Sequence, residues 1–108
     1  MPLILCLYRI FMPLPYYSAA TDVGTKRTNN EDTIGSSPKD KLWLVADGMG
    51  GHAAGEVASA IASDTIQRCI AHHSALPQAI QKAHEAILSE AGEGNGHQGM
   101  GSTVVALH

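Results

Sequence analysis

Residues 44–56 read LVADGMGGHAAGE: an apolar run ends in Asp47, a glycine-rich passage follows, and helix-forming residues come next. Two chemistries share this layout. Gly48-Met49-Gly50-Gly51-His52-Ala53 fits the loose dinucleotide pattern G-x-G-x-x-G/A. A carboxylate at a strand end, with a backbone carbonyl freed by glycine, equally offers the hard oxygen ligands that magnesium and manganese favour. Asp47 separates the two, because it would place negative charge where a pyrophosphate has to approach. The acid that should hold a ribose, expected on a second strand roughly 20 residues further on, would fall near residues 67–71, inside a helical stretch. The metal reading uses Asp47 and Gly48 better. A second acidic cluster stands at Asn30-Glu31-Asp32, preceded by Arg27. Taken alone such a pair is an ordinary solvated loop. Arg27 adds planar, permanently charged donors suited to phosphate oxygens, and the Asp-Gly passage follows about one strand later.

These residues need elements to aim them. Residues 16–21 (YYSAAT) carry the β-prone residues of a first strand, turned out by Asp22-Val23-Gly24. Residues 26–32 read as a polar loop, 33–35 as a short strand and 36–40 (SSPKD) as a turn. Residues 41–46 (KLWLVA) form a nearly continuous apolar strand, as expected where both faces are covered. The glycines then turn the backbone sharply into a helix over residues 53–73. Val57, Ala58, Ile61, Ala62, Ile66, Cys69 and Ile70 cover more than half of its circumference, leaving Glu56, Ser63, Asp64 and Gln67 for the polar arc. Leu76, Ala79, Ile80, Ala83, Ala86 and Ile87 predict a second amphipathic helix, with Ser74 as its N-cap and Pro77 in the first turn. Residues 92–101 are a glycine-rich loop, and 102–107 (STVVAL) open another strand. Met49 is expected to pack at the turn. The histidines at 72, 73, 84, 97 and 108 show no ligand spacing and read as surface residues.

The chain has 108 residues, enough for one small domain with an aliphatic core, since it holds only one Trp, three Tyr and one Phe. Seven Lys and Arg against ten Asp and Glu give a net charge of -3. With no basic cluster, nucleic acid is not an expected partner. Cys6 and Cys69 have no motif spacing and fit a reducing compartment. MPLILCLYRIF is interrupted by Arg9 and too short to span a bilayer. Residues 1–15 read as an apolar extension outside the domain, with Met12 a second possible start, and the cytoplasm is the expected location.

Five motifs occur in order: Thr21-Asp22-Val23-Gly24; Arg27-x-x-Asn30-Glu31-Asp32; Val45-Ala46-Asp47-Gly48-Met49-Gly50-Gly51-His52; Gly55-Glu56-Val57-Ala58-Ser59; and Gly99-Met100-Gly101-Ser102-Thr103. Together they resemble the amino-terminal part of the bacterial PPM-type, metal-dependent serine/threonine protein phosphatases, the type 2C family. The resemblance implies an α+β fold: a four-layer αββα sandwich of two antiparallel sheets flanked by helix pairs, incomplete in this chain. Residues 16–108 would be the amino-terminal part of that domain. It implies two manganese or magnesium ions held by Asp47 and the Gly48 carbonyl, with Glu31 and Asp32 supporting the second ion directly or through water. Arg27 would grip the substrate phosphate, and His52 would donate a proton to the departing Ser/Thr oxygen. A water bridging the cations, about 3.5–4 Å apart, is the implied nucleophile on phosphoserine or phosphothreonine. The substrate is then a phosphorylated protein, opposite a serine/threonine kinase.

The later family motifs, with further metal-binding aspartates, do not occur in this sequence. Two divalent ions bring four positive charges against three negative ones from Glu31, Asp32 and Asp47. The isolated chain is therefore expected to be marginally folded, to bind manganese weakly and to hydrolyse phosphate esters poorly. A second reading is an inactive remnant that binds phosphoproteins through Arg27 and an exposed sheet edge. The dinucleotide-binding module is the third.

Overall fold

A computed structural model describes residues 17–51, 53–92, 94 and 97–108. Tyr16, Cys6, His52 and the expected extension at 1–15 lie outside the described residues. The order is β1 (Asp32–Ser37), a 3₁₀ turn (Pro38–Asp40), β2 (Leu42–Met49), α1 (Ala54–Ala71), α2 (Leu76–Ala91), β3 (Gly101–Ser102) and β4 (Val105–Leu107). The chain is α+β, with one antiparallel sheet covered on one face by the helix pair. β2 is central: β1 lies along one edge, while β3 and β4 lie along the other in a single register, Val45 opposite Val105 and Gly48 opposite Ser102. Every strand pair among the described residues is antiparallel, so they form no βαβ crossover of the kind a dinucleotide module requires.

The alternation of β2 sets its faces. Leu42, Leu44, Ala46 and Gly48 are buried toward the helices, whereas Val45, Asp47 and Met49 are exposed on the opposite face. The strand is thus covered on one side, where its near-continuous apolar run suggested two. Leu42, Leu44, Ile66, Ile70, Ala79 and Ala83 form one core cluster; Ala46, Ala54, Ala58, Ala62, Ile87 and Met100 form the other. Met49 is 64% exposed and Met100 only 7%, so Met100 fills the packing role expected of Met49.

Three local expectations change. Residues 17–21 form no strand. Tyr17 instead reaches the sheet by side chain, donating to Ser36 Oγ at 3.2 Å and meeting the Trp43 ring edge-on at 5.7 Å. The segment runs across the open face, where Tyr17, Ile34, Trp43, Val45, Val105 and Leu107 line one depression. Ser36 and Ser37 belong to β1, which leaves only Pro38–Asp40 for the turn. Helix α2 is capped at Ala75 with no side-chain bond; Ser74 lies one residue earlier, its N–H bonded to the Cys69 carbonyl at 2.9 Å.

The polar arc of α1 also needs correction. Ser63 is 3% exposed and Ser59 fully buried, both turned toward β1. The Ser59 and Thr33 hydroxyls lie 2.8 Å apart, and Gln67 Nε2 donates to Ser63 Oγ at 2.9 Å. Gly35 makes room for this: a Cβ there would come within 2.6 Å of Ser63 Oγ and 2.8 Å of Gln67 Nε2. Gly35→Ala is expected to cost about 1–3 kcal/mol of stability by overpacking. Adding Ser63→Ala should recover part of that loss in urea denaturation followed by circular dichroism. Strictly additive losses would place the crowding elsewhere.

Candidate metal and phosphate site

β2 does not end at Asp47. It continues through Gly48 and Met49, and the backbone turns only beyond Met49, with Gly50 at φ 153° and Ala53 at φ 64°. Gly48 is therefore required by proximity. A Cβ on it would overlap the carbonyl oxygen of Gly55, in the first turn of α1. Gly55 in turn has no room for a Cβ, because the Glu31 carboxylate and the Gly48 backbone lie against it. The end of β2, the start of α1 and the approach to β1 converge on these two glycines.

The ladder then sorts the acids by face. Gly48 N–H donates to the Glu31 carbonyl at 3.1 Å, which makes residues 31 and 48 a hydrogen-bonded pair. The next pair, Asp32 opposite Asp47, is of the non-hydrogen-bonded kind, whose Cα atoms stand about 4.5 Å apart. Both carboxylates share the open face and both are exposed. The Glu31 carboxylate goes to the other side, over the first turn of α1, where the free N–H end of a helix favours negative charge. The structure thus unites Asp32 with Asp47 and separates the Glu31 carboxylate from them. Among the described residues no group of three His, Cys, Asp or Glu side chains could hold a metal.

Arg27 is exposed and lines one polar depression of about 260 Å³ together with Asp22, Asn30, Glu31, Asp32 and Asp47. The sequence reading brought no role for Asn30, yet its side chain organises this loop. Its Oδ1 accepts the Asp32 N–H at 3.1 Å and its Nδ2 donates to Thr21 Oγ1 at 2.8 Å. Asp22 Oδ1 accepts the Gly24 N–H at 2.7 Å, closing a turn at φ 81°. An Asn two residues before a strand-initiating Asp is the sequence sign of such a turn. His72, His73, His84 and His108 are exposed as expected, whereas His97 is half-buried with Nδ1 3.3 Å from Glu90 Oε1.

The sequence matches the family Protein phosphatase 2C over residues 24–107. It is 35% identical over 101 residues to the serine/threonine protein phosphatase PstP of Mycobacterium tuberculosis, an alignment covering 84% of this chain and 18% of PstP. To the protein phosphatase PhpP of Streptococcus pneumoniae it is 33% identical over 108 residues, covering 83% of this chain and 41% of PhpP. The fold is similar to the crystal structure of the PstP catalytic domain in complex with two manganese ions. That match has a TM-score of 0.73 and 33% identity, over 84% of this chain and 41% of that one. The chain therefore spans well under half the length of these relatives.

Because the atom facing Gly48 is a backbone oxygen, Gly48→Ala should cost more than the about 1–3 kcal/mol of ordinary overpacking. Gly51, with nothing within 4 Å of a Cβ, should accept Ala without loss. Thermal unfolding of the two variants compares them directly, and equal losses would contradict the close approach at Gly48.

Proposed function

This chain belongs to the protein phosphatase 2C family, and from that premise we propose that it is part of a metal-dependent phosphatase acting on phosphoserine and phosphothreonine in proteins. The observation carrying the proposal is the placement of Asp32 directly opposite Asp47, beside Arg27. Like charges facing each other across a ladder destabilise a sheet. A hard divalent cation reverses the sign of that contribution, and two carboxylates are the oxygen donors it favours.

Asp32 and Asp47, with the Gly48 carbonyl, would hold manganese or magnesium, and Glu31 would support the site from the helix side. When bound, a cation pair supplies Lewis-acid activation of water and of the phosphoryl group. Arg27 would bind and orient the phosphate through paired N–H donors. His52 is proposed to hold the proton that the leaving Ser/Thr oxygen needs, since an imidazole titrates in the useful range.

In the proposed domain plan, residues 16–108 are the amino-terminal part of the phosphatase domain and residues 1–15 lie outside it. The open sheet face supports this plan. Val45, Val105 and Leu107 are 50%, 70% and 66% exposed there, which suits a face that packs on a second sheet. On the same sheet, Trp43 Nε1 is buried without a hydrogen-bond partner among the described residues. A protein phosphatase also requires a kinase to have made its substrate, so an opposing serine/threonine kinase in the cytoplasm is part of the proposal. No described helix is long and apolar enough to cross a membrane.

In the metal-free chain, Asp47→Asn should raise stability by about 0.2–1 kcal/mol by removing the facing charge. The same variant should abolish the rise in Tm that manganese gives the parent. A manganese response surviving in Asp47→Asn would refute the site. Manganese-dependent phosphate release from a phosphothreonine peptide, lost in Asp47→Asn, would identify an enzyme. The alternative is the binding-only reading. Its mark would be peptide binding that needs Arg27 and yields no phosphate.

A further inference from the structure

The register that sets Asp32 opposite Asp47 sets Thr103 opposite Asp47 on the other edge of β2, because Val45–Val105 and Gly48–Ser102 bracket that pair. The row Asp32, Asp47, Thr103 thus crosses β1, β2 and the link between β3 and β4 on one face, and all three residues line one depression. At Thr103 the ladder is half regular. Its N–H donates to the Asp47 carbonyl at 2.9 Å, as an antiparallel hydrogen-bonded pair requires. The reciprocal bond is replaced: the Asp47 N–H goes to Thr103 Oγ1 at 3.3 Å, while the Thr103 carbonyl accepts the Ser102 hydroxyl at 2.8 Å. Thr103 Oγ1 also lies 3.4 Å from the Asp47 carbonyl, and Ser102 Oγ donates to that same oxygen at 3.3 Å.

We propose that Thr103 is a positioning residue for the Asp32–Asp47 pair, its hydroxyl clasping both peptide groups of Asp47 where the β2–β3/β4 ladder departs from regular pairing. The proposal rests on the metal-site reading above. Two facing carboxylates push each other apart, and β2 widens that pair unless the backbone under Asp47 is held. The departure from regular pairing falls at the residue whose side chain has to be aimed, and hydroxyls take over the hydrogen bond that regular pairing would have made. Groups that orient a metal ligand contribute to affinity without touching the metal.

Four chains decide the matter: the parent, Asp47→Asn, Thr103→Val, which keeps the branched shape and the backbone bond but loses the hydroxyl, and Thr103→Ser, which restores it. Manganese affinity by calorimetry is expected to fall about tenfold in Thr103→Val and to recover in Thr103→Ser. Circular dichroism and Tm should change little, since Thr103 is exposed. Parent-like affinity in Thr103→Val, with Asp47→Asn abolishing binding, would overturn the positioning role. If Asp47→Asn leaves affinity unchanged, the metal reading fails instead. The clasp is then judged metal-free from the Asp47 amide, whose hydrogen exchange should be slower in the parent and in Thr103→Ser than in Thr103→Val. Should Thr103→Val not fold, the parent alone suffices, because an Asp47 amide exchanging as fast as that of exposed Gly51 would sink the proposal.

Discussion

Two backbones touch where β2 meets α1, and the rest of the arrangement follows from that contact. Gly48 and Gly55 lack the Cβ atoms that would hold strand and helix apart. Their approach brings the first turn of α1 down onto the strand end and leaves the Glu31 carboxylate against that turn. It also ties the loop carrying Arg27 and Asn30 to the same corner through the Gly48–Glu31 backbone bond. Without it, the acids of β1 and β2 would still alternate in the ladder, but the helix pair would lose its anchor at the end where the chemistry is proposed.

The interior beneath the helices is an alanine-rich contact with a polar seam. Small residues at 46, 54, 58, 62, 79 and 83 let α1, α2 and the sheet pack closely. Gly35 does the same for Ser63 and Gln67 against β1. The buried Ser59 hydroxyl and the half-buried Thr33 hydroxyl satisfy each other, so the seam carries hydrogen bonding without stranding polar groups. Among the described residues the opposite face has no such cover: its aliphatic side chains and the Trp43–Tyr17 pair lie beside the acidic row. One sheet thus presents two surfaces of different character, an aliphatic half and a charged end.

Long-period patterns made the helices legible, since Ile66, Ile70, Ala79, Ala83 and Ile87 recur at helical spacing and occupy the predicted core. β1 and β2 were legible from their apolar and turn-flanked runs. Residues 17–21 misled because β-prone residues form a strand only beside a partner, and Tyr17 finds side chains instead of a ladder. Ser63 misled for a related reason: a polar residue on a wide-faced helix reads as solvent-facing, yet a glycine on the neighbouring strand decides its burial. The family was legible from motifs in order. That Asp32 and Asp47 face each other while Glu31 turns away depends on register, which five motifs in a line do not contain.

The sequence by itself determined the two helices, the strands at its centre and the family, because periodicity and motif order are one-dimensional properties. Only the tertiary structure decided which face each acid takes, that Gly48 serves a close approach and not a turn, and that Thr103 stands across from Asp47. Those facts are pairings between residues far apart in the chain. A one-residue slip in any of them would move every side chain to the other face of the sheet.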